Sequence, residues 1–551
     1  MQENLARQKF RTFSATARAS SRVSGWSVFT VLVALLLTSP LVVIVGSWLT
    51  PEAKVWQHLA STVLWSYVRN SLLLGLGVGV GTAVIGVSAA WLVTMCRFPG
   101  RKVLEWALLL PMAFPAYILA YTYTDFLQVS GPVQSFIRDT FELRPRQYPF
   151  PDVRSLGGAI TMLTLALYPY VYLLARTAFL QSSNLLLEAA QSLRCNAWAS
   201  FFRVSLPLAR PAIVGGVALA VMESLSDFGT VDYFGVPTLT TGIYRTWFGM
   251  GERPAAAQLA SCLLVFVLVV MWLERRSRKT FEHSAKHKHT SLLAYKLSGW
   301  RSGTAFSVTI LPVFLGFILP ALLLVQLTFK TNIPIEASFW QHASNSVILA
   351  SITGVLAVMV SVLLAYAVRM QSDRVNRSGA RLATVGYAIP GSVIAVSTLI
   401  AFGWLDGQLS SLTGLSTLFL SGTMIGLIYA YLVRFLATSF NGVEAQLKSV
   451  TRSMDNAAKS LGYRSLATLR HIHLPLLRPS LLAAFLFVFV EVMKELPATL
   501  IVRPFNLDTL AVRVYRLAAD ERLREAAPGA LAIVLVSLLP VILLYRLRIK
   551  G

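Results

Sequence analysis

The chain has 551 residues, 55% of them hydrophobic and only 13% charged, with a mean hydropathy of +0.62 and a formal charge of +24. That much apolar surface excludes a soluble globular protein of this length. The basic residues gather in short connections between apolar runs, which reads as membrane topology and excludes a nucleic-acid partner. A helix needs roughly 20 apolar residues to cross a bilayer. Twelve runs qualify: about 26–48, 70–96, 104–126, 157–180, 211–233, 256–273, 304–329, 345–369, 380–404, 412–438, 480–502 and 529–547. The first follows a basic, Ser/Arg-rich arm without a cleavage site, which predicts a retained helix. Cys96, Cys195 and Cys262 have no ligand-like spacing and imply neither a disulfide framework nor a zinc site.

Charge in the connections sets the expected orientation. The N-terminal arm (Arg7, Lys9, Arg11, Arg18, Arg22), the second connection (Arg97, Arg101, Lys102), the sixth (Arg275 to Arg301), the eighth (Arg369, Arg374, Arg377, Arg381) and the C-terminus (Arg546, Arg548, Lys550) are basic. With twelve spans these all fall on one side, the cytoplasm, and both termini lie there. The connection 503–528, rich in both signs, fits least well.

The chain is built twice. Residues 188–211 align without a gap on 456–479, an offset of 268, with ten of the 24 positions identical. Asn70-Ser71 and Asn345-Ser346, and Ala113-Phe114-Pro115-Ala116 and Ala388-Ile389-Pro390-Gly391, repeat at an offset of 275. Beyond the loop the 268 offset pairs Glu223 with Glu491, Asp227 with Glu495, Thr241 with Thr509 and Arg245 with Arg513. The expected organisation is an N-terminal arm over 1–25, a first half over 26–273, a basic linker over 274–303 and a second half over 304–551. An even, six-span unit duplicates in parallel orientation, so the halves relate by an axis along the membrane normal.

The repeated loops, within 181–211 and 439–479, lie between the fourth and fifth spans of each half. A loop kept in both copies points to function more than to packing. Glu188 at a first helical turn complements the helix dipole. Ala189-Ala190 leave a bare patch for another protein, and Pro207 and Pro211 are expected to break and restart the chain as it enters the membrane.

The pattern Glu-Ala-Ala, three residues, Gly, then Leu-Pro resembles the EAA loop of permease subunits in binding-protein-dependent ABC importers. The first copy has Glu188, Ala189, Ala190 and Pro207 but Arg194 for the glycine; the second has Ala457, Ala458, Gly462 and Pro475 but Asn456 for the acid. The resemblance covers nearly the whole chain. It implies an all-α polytopic protein with the type I ABC importer permease fold, whose loops are coupling helices seated on two copies of an ABC ATPase. It also implies a periplasmic substrate-binding protein and a bacterial inner-membrane location. ATP and Mg would belong to the ATPase; this chain has no Walker A motif and no Gly-Lys dipeptide, and is expected to bind no cofactor and to catalyse nothing itself. The segments Glu-Ser-Leu-Ser-Asp-Phe-Gly-Thr at 223–230 and Glu-Val-Met-Lys-Glu-Leu-Pro-Ala-Thr at 491–499 most resemble the ferric-iron importer permeases, with the thiamine importer permease a close cousin. Ferric iron is therefore the expected cargo. Thiamine, a polyamine or an oxyanion are alternatives within the class, and an ATPase-independent secondary transporter is the alternative outside it.

Glu223 and Asp227 lie i, i+4, as do Glu491 and Glu495, which predicts two acidic helix faces. At about 1.5 Å per residue, the first acid of each pair sits roughly 18 Å into the membrane from Pro211 or Pro479. An intramembrane carboxylate costs at least about 2.5–3.5 kcal/mol unless it faces water or a partner. The four acids are expected to line a path for a hard cation; the competing reading is that they are helix-packing or gating groups, with Lys494 neutralising Glu491 or Glu495. Weaker signals are His283, His287 and His289 in the linker, read as a solvated loop with no structural metal site, and Tyr168, Tyr170 and Tyr172, read as packing or interface residues. Pro111, Pro115 and Pro390 are expected to kink the third and ninth spans, and 234–253 (with Trp247) and 503–525 to face the outside.

Overall fold

The computed structural model describes residues 24–50, 52–145, 147–181, 196–278, 295–330, 336–371, 373–414 and 418–549. Glu188, Ala189, Ala190, Arg194 and Cys195 of the first loop, and the three linker histidines, lie outside them.

Eleven helices are long and apolar enough to cross a membrane, and a bent pair supplies a twelfth crossing. In order they are Gly25–Leu49, Leu64–Met95, the pair Arg101–Ala113 and Ala116–Phe141, Leu156–Gln181, Trp198–Ser226, Arg253–Ser277, Trp300–Lys330, Ala337–Met370, Gly391–Thr413, Met424–Ser449, Ser465–Lys494 and Leu523–Pro540. The only strand pairing among the described residues is a two-residue parallel bridge of Cys96–Arg97 with Tyr295–Lys296, which pins the end of the linker to the second span.

The third crossing is not the kinked helix expected over 104–126. It bends by 91° at Phe114-Pro115. Pro115 has no N–H and favours an extended residue before it, and Phe114 is extended. The helix beyond, Ala116–Leu127, has 12 residues and spans only about 18 Å.

The proline-rich entries to the fifth and eleventh spans also differ from expectation: the chain does not break there. In each half a five-residue π turn, Phe201–Ser205 or Leu469–His473, runs directly into the membrane helix. The turn shifts the carbonyl ladder by one residue where Pro207 and Pro475 have no N–H to give.

The first span of each half packs on the opposite half. Near the start of the chain, Asn376 Nδ2 donates to Ser27 Oγ at 3.2 Å, Tyr429 OH donates to the Leu36 carbonyl at 2.7 Å, and Trp26 meets Tyr366 edge-on at 5.5 Å. Reciprocally, Tyr123 OH in the first half donates to the Leu315 carbonyl of the seventh span, and Phe317 packs on Phe114 at 5.6 Å. Leu315 lies in a further π turn, Phe314–Ile318, a geometry that leaves a carbonyl for an outside donor. The two exchanged spans clasp the halves together.

The repeated Asn-Ser pairs close the turns that follow the fifth and eleventh spans. Asn70 Nδ2 donates to the Pro237 carbonyl and Ser71 Oγ accepts from Leu239 N–H; Asn345 Nδ2 donates to the Asp508 carbonyl and Ser346 Oγ accepts from Leu510 N–H. The equivalence from residue 237 to 508 is an offset of 271, so the second half carries three extra residues in this turn. Thr509, the N-cap of Leu510–Ala519, therefore corresponds to Thr238, the N-cap of Leu239–Tyr244, and not to Thr241; the pairing of Arg245 with Arg513 falls with it.

The exchange predicts a cost for enlarging Gly379, where a Cβ would lie 2.7 Å from Thr30 Cγ2 of the first span. Gly379→Val should lower stability by about 1–3 kcal/mol through overpacking, read as a lower unfolding temperature of the purified protein; an unchanged temperature would contradict the packing.

Candidate functional site

The fifth and eleventh helices end at Ser226 and Lys494, one residue before the second acid of each pair. Asp227 (ψ 134) and Glu495 (ψ 123) are extended, so each acid pair does not share one continuous helix face. The chain then turns into a short helix, Gly229–Tyr233 or Pro497–Val502. The second acids cap these helices. Asp227 accepts from the N–H groups of Thr230 (2.9 Å) and Val231 (3.2 Å) and from the Thr230 hydroxyl (3.1 Å); Glu495 accepts from Ala498 N–H at 3.0 Å. A carboxylate near a helix N-terminus answers both the free N–H groups and the dipole. The same device in both halves explains why an acid recurs at this position.

The two breaks meet at the interface of the halves. A Cβ on Gly229 would lie 2.8 Å from both Leu496 Cδ2 and Tyr117 Cβ, so only glycine lets the first break approach the second. Below this contact is a cavity of about 120 Å³, lined by all four acids together with Tyr117, Tyr170, Arg434 and Lys494.

Two cations hold the acids, and both come from the second half. Lys494 Nζ lies 2.8 Å from Glu491 Oε1. Arg434, in the middle of the tenth span, places Nε 3.4 Å from Glu495 Oε2 and Nη2 3.8 Å from Glu223 Oε2, bridging the halves. At the 268 offset their counterparts are Ser226 and Ala166. The acids follow the internal symmetry; the cations do not. Arg434 is the functional residue that the reading of the sequence missed. Its signal was present: a lone arginine inside the apolar run Met424–Ala437.

Of the three tyrosines on the fourth span, Tyr170 reaches the cavity and hydrogen-bonds Tyr387 from the other half. Tyr168 and Tyr172 are buried in the core, the latter donating to the Glu105 carbonyl at 2.7 Å. Among the described residues no three His, Cys, Asp or Glu side chains converge to hold a metal ion, so the cavity is not a preformed chelate.

The second repeated loop forms a helix, Arg452–Ser460, at the opposite end of the eleventh span from the turn closed by Asn345 and Ser346. Gly462 follows with φ +80, and the N–H groups of Gly462 and Tyr463 donate to the carbonyls of Lys459 and Ala458. This is a left-handed helix stop that glycine adopts without strain. Its inner face is tied to the membrane helices. Arg369 Nε donates to Asp455 Oδ2 at 2.9 Å, Arg369 Nη2 to the Val450 carbonyl at 2.9 Å, and His473 Nε2 lies 2.9 Å from Asp455 Oδ1. His473 belongs to the π turn that enters the eleventh span, so the loop helix connects to the helix that ends at Lys494, next to Glu495. Ala458 is buried against the body; Asn456 and Ala457 face out, alongside Met454 and Leu461, which is 77% exposed. Pro207 and Pro475 sit at the first turn of their membrane helices.

The family model described as "Binding-protein-dependent transport system inner membrane component" matches residues 82–282 and again 357–548. The chain is 27% identical over 489 residues to the Fe(3+)-transport system permease protein FbpB 2 of Haemophilus influenzae, covering 88% of this chain and 90% of that one. It is 25% identical over 500 residues to the ferric transport system permease protein FbpB of Actinobacillus pleuropneumoniae, covering 86% and 69%. The sulfate transport system permease protein CysT of Escherichia coli is 28% identical over 255 residues, 44% of this chain but 87% of that protein, so it corresponds to one half.

The capping geometry makes a prediction. Asp227→Ala should lose about 1 kcal/mol with the cap, and Asp227→Asn, which keeps an acceptor oxygen, should lose less. Equal unfolding temperatures for both variants and the parent would refute the capping role.

Proposed function

This chain belongs to the binding-protein-dependent transport system inner membrane component family, and on that premise we propose that it is the transmembrane permease subunit of an ATP-driven importer of ferric iron. It is a multi-pass membrane permease in which one chain carries both halves. In the proposed arrangement a periplasmic binding protein delivers the cargo to the outer turns. Two copies of an ATPase subunit, which carry ATP and Mg, sit under the two repeated loops. The excess of Lys and Arg on the loop side favours a cytoplasmic location for that side and for both termini.

The observation that carries the cargo assignment is the charge of the central cavity: four acids against two cations. Hard oxygen donors suit a hard cation. An oxyanion such as the one in the name of the single-half relative would meet a net negative site. The relatives matched over most of the chain are named for ferric transport, which supports the same cargo. The absence of a closed ligand set among the described residues suits passage better than storage, since a path must release what it binds.

ATPase docking is supported by the outward face of the second loop helix. Met454, Ala457 and Leu461 present apolar surface beyond the membrane helices, and the Arg369–Asp455–His473 cluster ties that helix to the eleventh span. Force applied at Ala457 would thus act on the helix whose far end carries Glu491 and Glu495. Glu188, Ala189, Ala190 and Arg194 are proposed to form the equivalent contact in the first half.

Two outcomes test this reading. Glu223→Gln with Glu491→Gln should reduce ferric uptake at unchanged expression; uptake at the parent rate would sink the path assignment. Ala457→Arg should abolish co-purification of the ATPase on the second side while leaving the chain folded in the membrane; a complex of normal stability and stoichiometry would remove the docking assignment and revive an ATPase-independent transporter.

A further inference from the structure

We propose that Arg434 is a tethered counter-ion that keeps the path closed to small cations, and that cargo passes by displacing it. The proposal rests on the cation reading of the cavity. With Arg434 between Glu223 and Glu495, Lys494 on Glu491, and Asp227 held by its helix cap, every carboxylate in the cavity has a partner from the protein itself. A cation entering the cavity finds no free acid until one of these partners leaves.

Arg434 is the partner suited to leave. Charge-assisted hydrogen bonds between guanidinium and carboxylate are typically about 2.7–2.9 Å long. The ion-pair contacts of Arg434 measure 3.4 and 3.8 Å. The Coulomb attraction at these distances is largely kept while the short directional bonds are not made. Nη1 is buried and has no hydrogen-bond partner among the described residues. The guanidinium thus holds the acids by charge and is not locked in a bidentate fork. Its room is provided by Gly391, where a Cβ would collide with Nη1 and lie 2.9 Å from Glu495 Oε1. The equivalent position in the first half is Ala116, and there the residue at the arginine position is Ala166. The space and the cation occur together, in one half only.

The arrangement also discriminates by charge. A tethered group competes at high effective concentration, so a monovalent cation with the same charge as the guanidinium gains too little to evict it. Attraction to the two acids grows in proportion to the entering charge, and a trivalent ion gains three times as much as a monovalent one. Arg434 is thus a specificity-determining residue that favours a cation of high charge whose lost hydration the acid oxygens replace, and it joins the two halves across the path while that cation is absent.

The test is potassium flux through the permease–ATPase complex in liposomes, without ATP or binding protein. The parent complex should be tight. Arg434→Gln should raise potassium flux at least about tenfold, equivalent to about 1.4 kcal/mol in the barrier, and Arg434→Lys should restore much of the seal. If Arg434→Gln fails to assemble because the acids are left unpaired, Gly391→Ala carries the test: it pushes the guanidinium aside with no change of charge and should leak in the same direction. Parent-level flux in an assembled variant, with ferric-stimulated ATP hydrolysis intact, overturns the latch and leaves the cargo assignment standing. Hydrolysis stimulated by sulfate instead of ferric iron, and lost in Arg434→Gln, overturns the cation reading and the latch with it.

Discussion

Four carboxylates stand inside a chain that is otherwise built to sit in hydrocarbon, and the rest of the architecture holds their charge. Leaving such groups unpaired is costly at membrane depth. Each of the four has a specific answer: two close helix breaks as N-caps, one takes a lysine three residues along its own helix, and one shares an arginine from the opposite half. The breaks lie where the fifth and eleventh helices end, and the caps are what make ending there tolerable. The cavity is the space left where the two breaks, and the short third crossing with its Pro115 bend, fail to fill the centre.

Around this centre the halves are clasped by exchange. Each first span packs on helices of the other half as well as on the last span of its own, so separation of the halves would break contacts of both first spans. The eleventh span then links two distant places. At one end its π turn holds His473 against Asp455 of the loop helix; at the other it ends in Lys494 and Glu495. A movement of the loop helix reaches the acids through the Asp455–His473 contact and the eleventh span itself. In the first half the route runs through Trp198–Ser226 to Asp227, with Ser205 where the second half has His473. The two halves thus share a frame and differ in charge.

Much of this was legible in the sequence. Hydropathy yields the class and the twelve crossings, and the 268 offset yields the duplication, the loops and the four acids. The Asn-Ser pairs are visible as repeats, although their role in closing a turn is not. Other features were hidden for physical reasons. The first span is apolar on all faces, so no stripe tells which half it joins. The stop at Ser226 carries no proline or glycine of its own, and only the capping bonds of Asp227 show that the helix has ended. An offset read without gaps slides past three inserted residues and mispairs Thr241 with Thr509. Arg434 was there to be seen, but a single arginine names no partner until the fold brings Glu223 and Glu495 beside it.

The central claim, an ATP-driven path for a highly charged cation, is tested most directly by ATP hydrolysis of the chain reconstituted in liposomes with its ATPase and its binding protein. Ferric iron on the binding protein should stimulate hydrolysis well above the unloaded state, and thiamine and sulfate should not. Stimulation by thiamine or sulfate and none by ferric iron would contradict the account.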